Sequence, residues 1–203
     1  MNAFEKTLLE RFGENKLTQV QRVKIGIAGA GGLGSNCAFN LVRSGFRHFK
    51  IIDDDKIDPS NLNRQFYFFD QIGMPKVRAL EQNLKRINPD LDGEFIEKKI
   101  NENNILSLFS DCEIIVEAFD DPGFKSLLVE KFLNTKKFLV CVSGLAGWGN
   151  SDTIISQRVK ENLVIIGDRV SDTRQAMPVS PRVNIAAAKQ ADEILDFVLK
   201  KQP

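Results

Sequence analysis

Short apolar runs alternate with amphipathic stretches along most of this chain. The runs at 23–28 and 49–53 are compact and rich in Ile and Val, as strands buried on both faces are. Between them, residues 33–44 carry apolar positions at helical spacing and lead into Gly45, a good residue to follow a helix end. The alternation continues. A helix is expected from Pro75 to about Asn88, where Pro89 stops it, with Pro75 suited to its first turn. An edge strand at 94–98, a short helix at 103–109, a strand at 113–118, a helix at 122–135 and a strand at 138–142 follow. Residues 152–158 and 162–166 form a hairpin pattern with Glu161-Asn162 near the turn. The stretch 168–181 is loop-like, and 182–200 predicts a closing helix. At the start, Phe4, Leu8, Leu9 and Phe12 are spaced for a short amphipathic helix.

Strands and helices in alternation predict an α/β domain with a mixed, mostly parallel sheet and helices on both faces. The 203 residues suffice for one domain, 1–203, with 1–20 as a helical N-terminal extension. Apolar residues at 42% and charged residues at 27% are an ordinary globular balance, and a net charge of +1 offers no broad attraction to nucleic acid or membrane. The N-terminus lacks the apolar core of a signal peptide, and no apolar run is long enough to span a bilayer. Cys37, Cys112 and Cys141 are far apart, in apolar surroundings and without a CxxC pair. They read as buried thiols in a reducing cytoplasm, with no zinc expected.

The chemistry concentrates in a few motifs. Gly29-Ala30-Gly31-Gly32-Leu33-Gly34 joins the first strand to a helix, which makes a Rossmann-like reading specific. Gly29 permits the tight turn, Gly31 lets the backbone approach a ligand, and Gly34 lets the helix pack on the sheet. The helix N-terminus then offers free N–H groups to an anion, with Gly32 in its first turn. Asp53 ends the second strand, where a carboxylate meets ribose hydroxyls. Asp54 reads as a solvated strand end, while Asp55 is suited either to face a metal or to end the strand. Asn61, Arg64, Gln65 and Lys76 form a polar series, and the guanidinium and ammonium suit the β- and γ-phosphates of a triphosphate. Asp120 follows the strand EIIVEAF at the same sheet edge and can hold Mg²⁺ against phosphates. Its neighbour Asp121 competes for that role, and either could cap the helix starting at Pro122. His48, the one histidine, is placed on a helix-to-strand connection at the surface.

GAGGLGS, DxDxxxxSNLNRQ, IGMPK, RINP and Asp120 occur in an order that resembles the ThiF/MoeB/HesA family, bacterial relatives of ubiquitin-activating enzymes. The resemblance covers residues 23–200 and is strongest to short ThiF-type members without a zinc module. It implies adenylation, with Mg-ATP, of the C-terminal glycine of a ubiquitin-like sulfur carrier, ThiS-like and in thiamine thiazole synthesis. Asp53 would then bind ribose, Asn61, Arg64, Gln65 and Lys76 phosphate, and Asp120 magnesium. Catalysis would rest on Arg64, Lys76 and Asp120. The chemistry agrees independently: a glycine carboxylate is ionised at neutral pH and needs no general base, so alignment and charge neutralisation suffice.

The chain also departs from the family. The two zinc-binding CxxC pairs are absent. Residues 148–182 hold no cysteine, so adenylation without a covalent protein–carrier intermediate is expected. The usual N-terminal arginine motif, donated in trans within a homodimer, is missing; Arg11 is the nearest substitute and Arg22 the next. Trp148, in the glycine-rich segment 143–149, suits carrier contact and a core position about equally. Three further functions are weighed: another sulfur carrier such as a molybdopterin type; an NAD(P)-dependent oxidoreductase, which leaves Arg64, Lys76 and Asp120 without a task; and a non-catalytic carrier-binding or nucleotide-sensing module, which has no need to keep those three residues.

Overall fold

The computed structural model describes residues 1–200. The order of elements is α1 (Ala3–Phe12), α2 (Glu14–Arg22), β1 (Lys24–Ala28), α3 (Gly32–Arg43), β2 (His48–Asp53), α4 (Lys76–Lys85), β3 (Asp92–Glu97), α5 (Ile105–Leu108), β4 (Ile114–Glu117), α6 (Pro122–Phe132), β5 (Phe138–Val142), β6 (Ile155–Lys160), β7 (Leu163–Gly167) and α7 (Ser180–Lys200). The strands form one seven-stranded sheet in the order β3-β2-β1-β4-β5-β7-β6. Every neighbouring pair is parallel except β6 with β7.

Both faces of the sheet are covered. Ile25, Ile27, Ile51, Val116, Val140 and Ile166 point to one face, into a core shared with α2, α3, α4 and α7. The intervening residues Ile52, Ile115, Leu139 and Leu163 point to the other, against α5 and α6. The period-2 alternation of side chains across a strand explains why these runs are apolar at every position. Gly26 belongs to the second face; a Cβ there would lie 2.5 Å from the Phe109 ring.

Helix α3 ends as expected: Gly45 has φ +99°, and the N–H groups of Gly45 and Phe46 donate to Val42 O and Leu41 O at 3.1 Å each. Those two bonds satisfy carbonyls that the helix end would otherwise orphan.

Several boundaries differ from expectation. Helix α2 was hidden because its apolar positions are sparse, yet Leu17 and Val20 are buried. The stretch 1–20 thus belongs to two helices packed on the core, and Leu8, Leu9 and Phe12 face that core. Pro75 stands just outside α4 as its N-cap, in extended conformation. The helix stops at Lys85, and Asn88 instead is fully buried, tying Asn2 and Glu5 to this turn. His48 is the first residue of β2, hydrogen-bonded to Asp92 at the opposite sheet edge from the glycine turn. Among the described residues no helix is long and apolar enough to cross a membrane.

Candidate nucleotide-binding site

The chain order β1-β2-β3 runs to one side of β1, while β4 and β5 lie on the other. The strand ends diverge between β1 and β4, which opens a crevice at the C-terminal edge of the sheet. It is a cleft of about 1680 Å³, whose lining includes Gly31, Asp53, Arg64, Lys76 and Asp120.

Each glycine of the turn has a separate physical reason. Gly29 has φ +104°, and a Cβ there would sit 2.7 Å from Ala118 O. At Gly34 a Cβ would meet Gly29 O at 1.9 Å, so no other residue lets α3 start so close to the turn. Gly31 differs: a Cβ would find only Gln65 Nε2, at 3.9 Å. The space before Gly31 is open, as a site for close approach of a ligand requires. The N-terminus of α3 has no side-chain cap, so its first N–H groups and its dipole face the cleft.

A network holds the segment 61–67 over this turn. Ser35 Oγ donates to Gly31 O and accepts from Phe66 N. Asn36 Nδ2 donates to Gly32 O at 2.7 Å and Arg64 O at 2.8 Å. Tyr67 Oη donates to Ala30 O at 2.6 Å, and burial pushes its phenol well above the ordinary value. The expected site residues did not include Ser35, Asn36 or Tyr67. They meet the turn through its main-chain oxygens; Ser35 closes the GAGGLGS motif, whereas no residue pattern announces Asn36 or Tyr67.

The polar series divides in space. Arg64 lines the cleft, its Nη1 donating to Asn63 Oδ1 and Ser60 O. Gln65 is buried; its Nε2 lies 3.9 Å from where a Cβ at Gly31 would stand, and its buried Oε1 has no hydrogen-bond partner among the described residues. Asn61 is not among the cleft-lining residues; its Oδ1 accepts from Asp58 N at 3.1 Å and shapes the turn that carries Arg64. Lys76 is buried at the start of α4 and pairs with Asp55 at 2.6 Å. Asp55 is therefore held by a cation, while Asp54 is exposed, as a strand end should be.

Asp53 accepts from Ala30 N at 2.6 Å and Asp55 N at 2.8 Å, so it ties the end of β2 to the turn. Burial raises its carboxyl, against the opposing pull of Lys76 and those two N–H groups. Oxygens of Asp53, Asp54 and Asp55 lie within 4.8 Å of one another, but Asp53 and Asp55 already have partners within the chain.

Across the cleft, the neighbouring aspartates separate. Asp121 caps α6, accepting from Gly123 N at 2.7 Å and Phe124 N at 3.1 Å. Asp120 is exposed to the cleft and its carboxylate has no hydrogen bond or ion pair among the described residues. An oxygen ligand left free in the cleft that Gly31, Arg64 and Lys76 also line suits Mg²⁺, which keeps most of its waters and takes one or two carboxylates. Beneath it lies Glu117, 1% exposed. Its carboxylate accepts from Lys125 Nζ at 2.9 and 3.1 Å and from Phe119 N and Val142 N. Burial raises this carboxyl, with the Lys125 charge acting against it.

The sequence pattern of the ThiF family matches residues 5–203. The chain belongs to the ThiF family. This ThiF-family chain is 40% identical over 112 residues to the sulfur carrier protein ThiS adenylyltransferase of Bacillus subtilis, an alignment covering 54% of the chain and 32% of that protein. It is 33% identical over 132 residues to the adenylyltransferase and sulfurtransferase UBA4 of Candida glabrata, covering 64% of the chain and 30% of the relative. The chain thus spans about a third of the length of these curated relatives. Among solved structures, the E. coli tRNA N6-threonylcarbamoyladenosine dehydratase TcdA in complex with ATP has a TM-score of 0.87 at 18% identity, covering 97% of the chain and 93% of the other. At that identity the likeness establishes the fold, which is the expected mixed, mostly parallel α/β sheet.

Trp148 is 80% exposed, which removes the core alternative for it. Arg11 is exposed on α1. Arg22 borders a small pocket with His48 and Glu94 at the far sheet edge, so within its own chain it does not face the cleft. The three cysteines are buried. Burial raises all three thiols, Cys112 to about 12.

Proposed function

We propose that this chain uses Mg-ATP to adenylate the C-terminal glycine carboxylate of a ubiquitin-like sulfur carrier of the ThiS type, in thiamine thiazole synthesis. The observation that carries the reading is the pairing of two walls. The uncapped α3 N-terminus, Arg64 and Lys76 stand on one side, and the unpartnered carboxylate of Asp120 on the other. A nicotinamide cofactor would leave the second set without a partner. The B. subtilis and C. glabrata relatives bear names of the same activity.

In this reading Asp53 holds the ribose. Gln65 Nε2, the side-chain atom nearest Gly31, would donate to a phosphate oxygen. Arg64 and Lys76 neutralise the β- and γ-phosphates, Lys76 exchanging Asp55 for phosphate. Asn61 acts by shaping the turn under Arg64. Magnesium, held by Asp120, would supply charge stabilisation on the phosphate oxygens. One oxygen of the carrier's carboxylate attacks the α-phosphorus. The bond from that phosphorus to the α,β-bridging oxygen breaks, and pyrophosphate leaves with the electron pair. No proton moves, so no histidine is required.

The reaction ends at the acyl-adenylate. Residues 148–182 contain no cysteine and the three thiols are buried, so these residues offer no thiolate to take the carrier. A second copy of the chain would supply Arg11 in trans, in a homodimer built on surfaces other than the apolar side of α1, which faces its own core. Sedimentation of the protein alone tests this, and a strict monomer removes Arg11 as donor.

The decisive experiment incubates the protein with Mg-ATP and each of several Gly-Gly-ending carriers, thiazole and molybdopterin types included, and weighs the products. One adenylyl group added to the ThiS-type carrier is expected, with carrier-dependent exchange of pyrophosphate into ATP. Adenylation of only a molybdopterin-type carrier would reassign the pathway. No exchange, with hydride transfer to a nicotinamide, would refute the function. Asp120→Ala should lower turnover on the order of a hundredfold with the fold intact; full turnover at ordinary Mg²⁺ removes Asp120 from the metal role.

A further inference from the structure

One buried ion pair has no part in the nucleotide site. Arg182, in the first turn of α7, is 4% exposed and pairs through Nη2 with Asp168. Its Nη1 also donates to Gly149 O at 2.6 Å and Asn150 O at 3.2 Å. Asp168 in turn gathers the loop after β7. Its Oδ1 accepts from Val170 N, Ser171 N and Ser171 Oγ. Ser171 Oγ accepts from Ala146 N at 2.9 Å, and Gly147 N donates to Met177 O at 3.2 Å. Two loops, after β5 and after β7, are thereby fastened to each other and to α7 through one guanidinium.

The loops also meet through backbone that leaves no slack. A Cβ at Gly144 would lie 2.3 Å from Arg169 N, and one at Gly167 1.9 Å from Ser143 O. Ser143, Gly144, Leu145 and Arg169 line the cleft on the β5–β7 side, across from the phosphate wall. Trp148, Val170 and Met177 on these loops are 80%, 86% and 62% exposed. A triphosphate has no use for such apolar side chains, whereas a protein surface does. The neighbour of Arg182 completes the link: Val183 Cγ1 would lie 3.0 Å from a Cβ at Gly32. One turn of α7 therefore touches the phosphate-binding turn with Val183 and holds the opposite wall with Arg182.

We propose that the Arg182–Asp168 pair is a positioning element for the acceptor: it sets the wall on which the carrier's tail lies at a fixed distance from the glycine turn. This rests on the adenylation reading, since it presumes that a carboxylate tail enters from the β5–β7 side. An extended tail must bring its carboxylate into line with the α-phosphorus, and a small misplacement of the wall is enough to spoil that alignment. Arginine suits the task because one rigid fork reaches a carboxylate and two carbonyls together.

Three variants test it: Arg182→Met, Arg182→Lys and Asp168→Asn. The first readout needs no acceptor. Hydrogen exchange of the protein with ATP should quicken at 143–150 and 168–178 in Asp168→Asn and Arg182→Met, while 29–36 stays protected. The second uses a ThiS-type carrier as the acceptor. Its KM should rise on the order of ten- to a hundredfold in Arg182→Met, with ATP affinity, measured by calorimetry, within about twofold of the parent. Arg182→Lys, which keeps the charge near Asp168 but loses the fork, should fall between. Unchanged exchange in both loops overturns the clamp. A fall in thermal stability with unchanged carrier KM reduces the pair to a structural brace, as does an equal loss of ATP and carrier affinity. If no carrier is adenylated by the parent, the functional reading fails, and the exchange result still decides the clamp.

Discussion

Replacing Lys125 by Met isolates the energetics of the cleft floor. Glu117 is 1% exposed, and among the described residues Lys125 is its only cationic partner, at 2.9 and 3.1 Å from the two carboxylate oxygens. Met keeps the length and apolar stem of lysine but removes the charge. The carboxylate is left with Phe119 N and Val142 N, at 2.8 and 3.3 Å. Removing one partner of a buried pair costs about 3–5 kcal/mol, and the two surviving backbone bonds put this case near 3 kcal/mol at pH 7. The pH dependence follows from linkage. Burial already holds the folded-state Glu117 carboxyl above its ordinary value. Its contribution is therefore fully present below the unfolded value, about 4.3, and is lost as pH rises through the folded one. The variant moves the folded value further up and extends that window toward neutrality. Between pH 7 and pH 5 the deficit of the variant should shrink by up to about 2.7 kcal/mol, at 1.36 kcal/mol per unit. Urea unfolding at both pH values measures it. Adding Glu117→Gln to Lys125→Met should recover most of the loss at pH 7, because the neutral amide needs no cation. A loss below about 1 kcal/mol, or an equal loss at both pH values, would refute the reasoning.

Three other outcomes are expected. Gly34→Ala must push α3 away from Gly29 O, where the Cβ would lie at 1.9 Å; titration calorimetry should find ATP binding abolished or weakened by at least about tenfold, and parent-like affinity would contradict the packing argument. Trp148→Ala should change thermal stability by less than about 0.5 kcal/mol, since the ring is 80% exposed, while the KM for the carrier rises; a loss of stability instead would place the ring in a packing role. Native protein should show no fast-reacting thiol toward a disulfide reagent at pH 8, all three appearing only on unfolding; a single fast thiol would reopen a covalent step.

The strands were legible because both faces of the sheet are covered, which makes Val, Ile and Leu continuous along β1, β4 and β5. The glycine turn was legible for a similar reason: backbone contacts at 2.7 and 1.9 Å exclude a Cβ at Gly29 and Gly34 whatever the rest of the chain does. Helix α2 was not, because Leu17 and Val20 are the only buried positions in nine mostly polar residues, too few apolar side chains to stand out as a core-facing stripe. Nor was the division between Asp120 and Asp121. Both precede Pro122, and only the backbone direction at the start of α6 decides that Asp121 points to the helix N–H groups and Asp120 to the cleft.

By itself, then, the sequence determined the alternation of elements, the glycine turn and the residue types whose chemistry suits a triphosphate, because each is a local demand of periodicity, backbone sterics or side-chain chemistry. Tertiary structure alone decided the partnerships. Lys76 found Asp55, Glu117 found Lys125, and Arg182 found Asp168, at separations along the chain that no local pattern encodes. It also turned Asn61 to bracing and Trp148 to the surface. A side chain's identity states which bonds it can make, but burial and the direction of the backbone beneath it select which of them it does make.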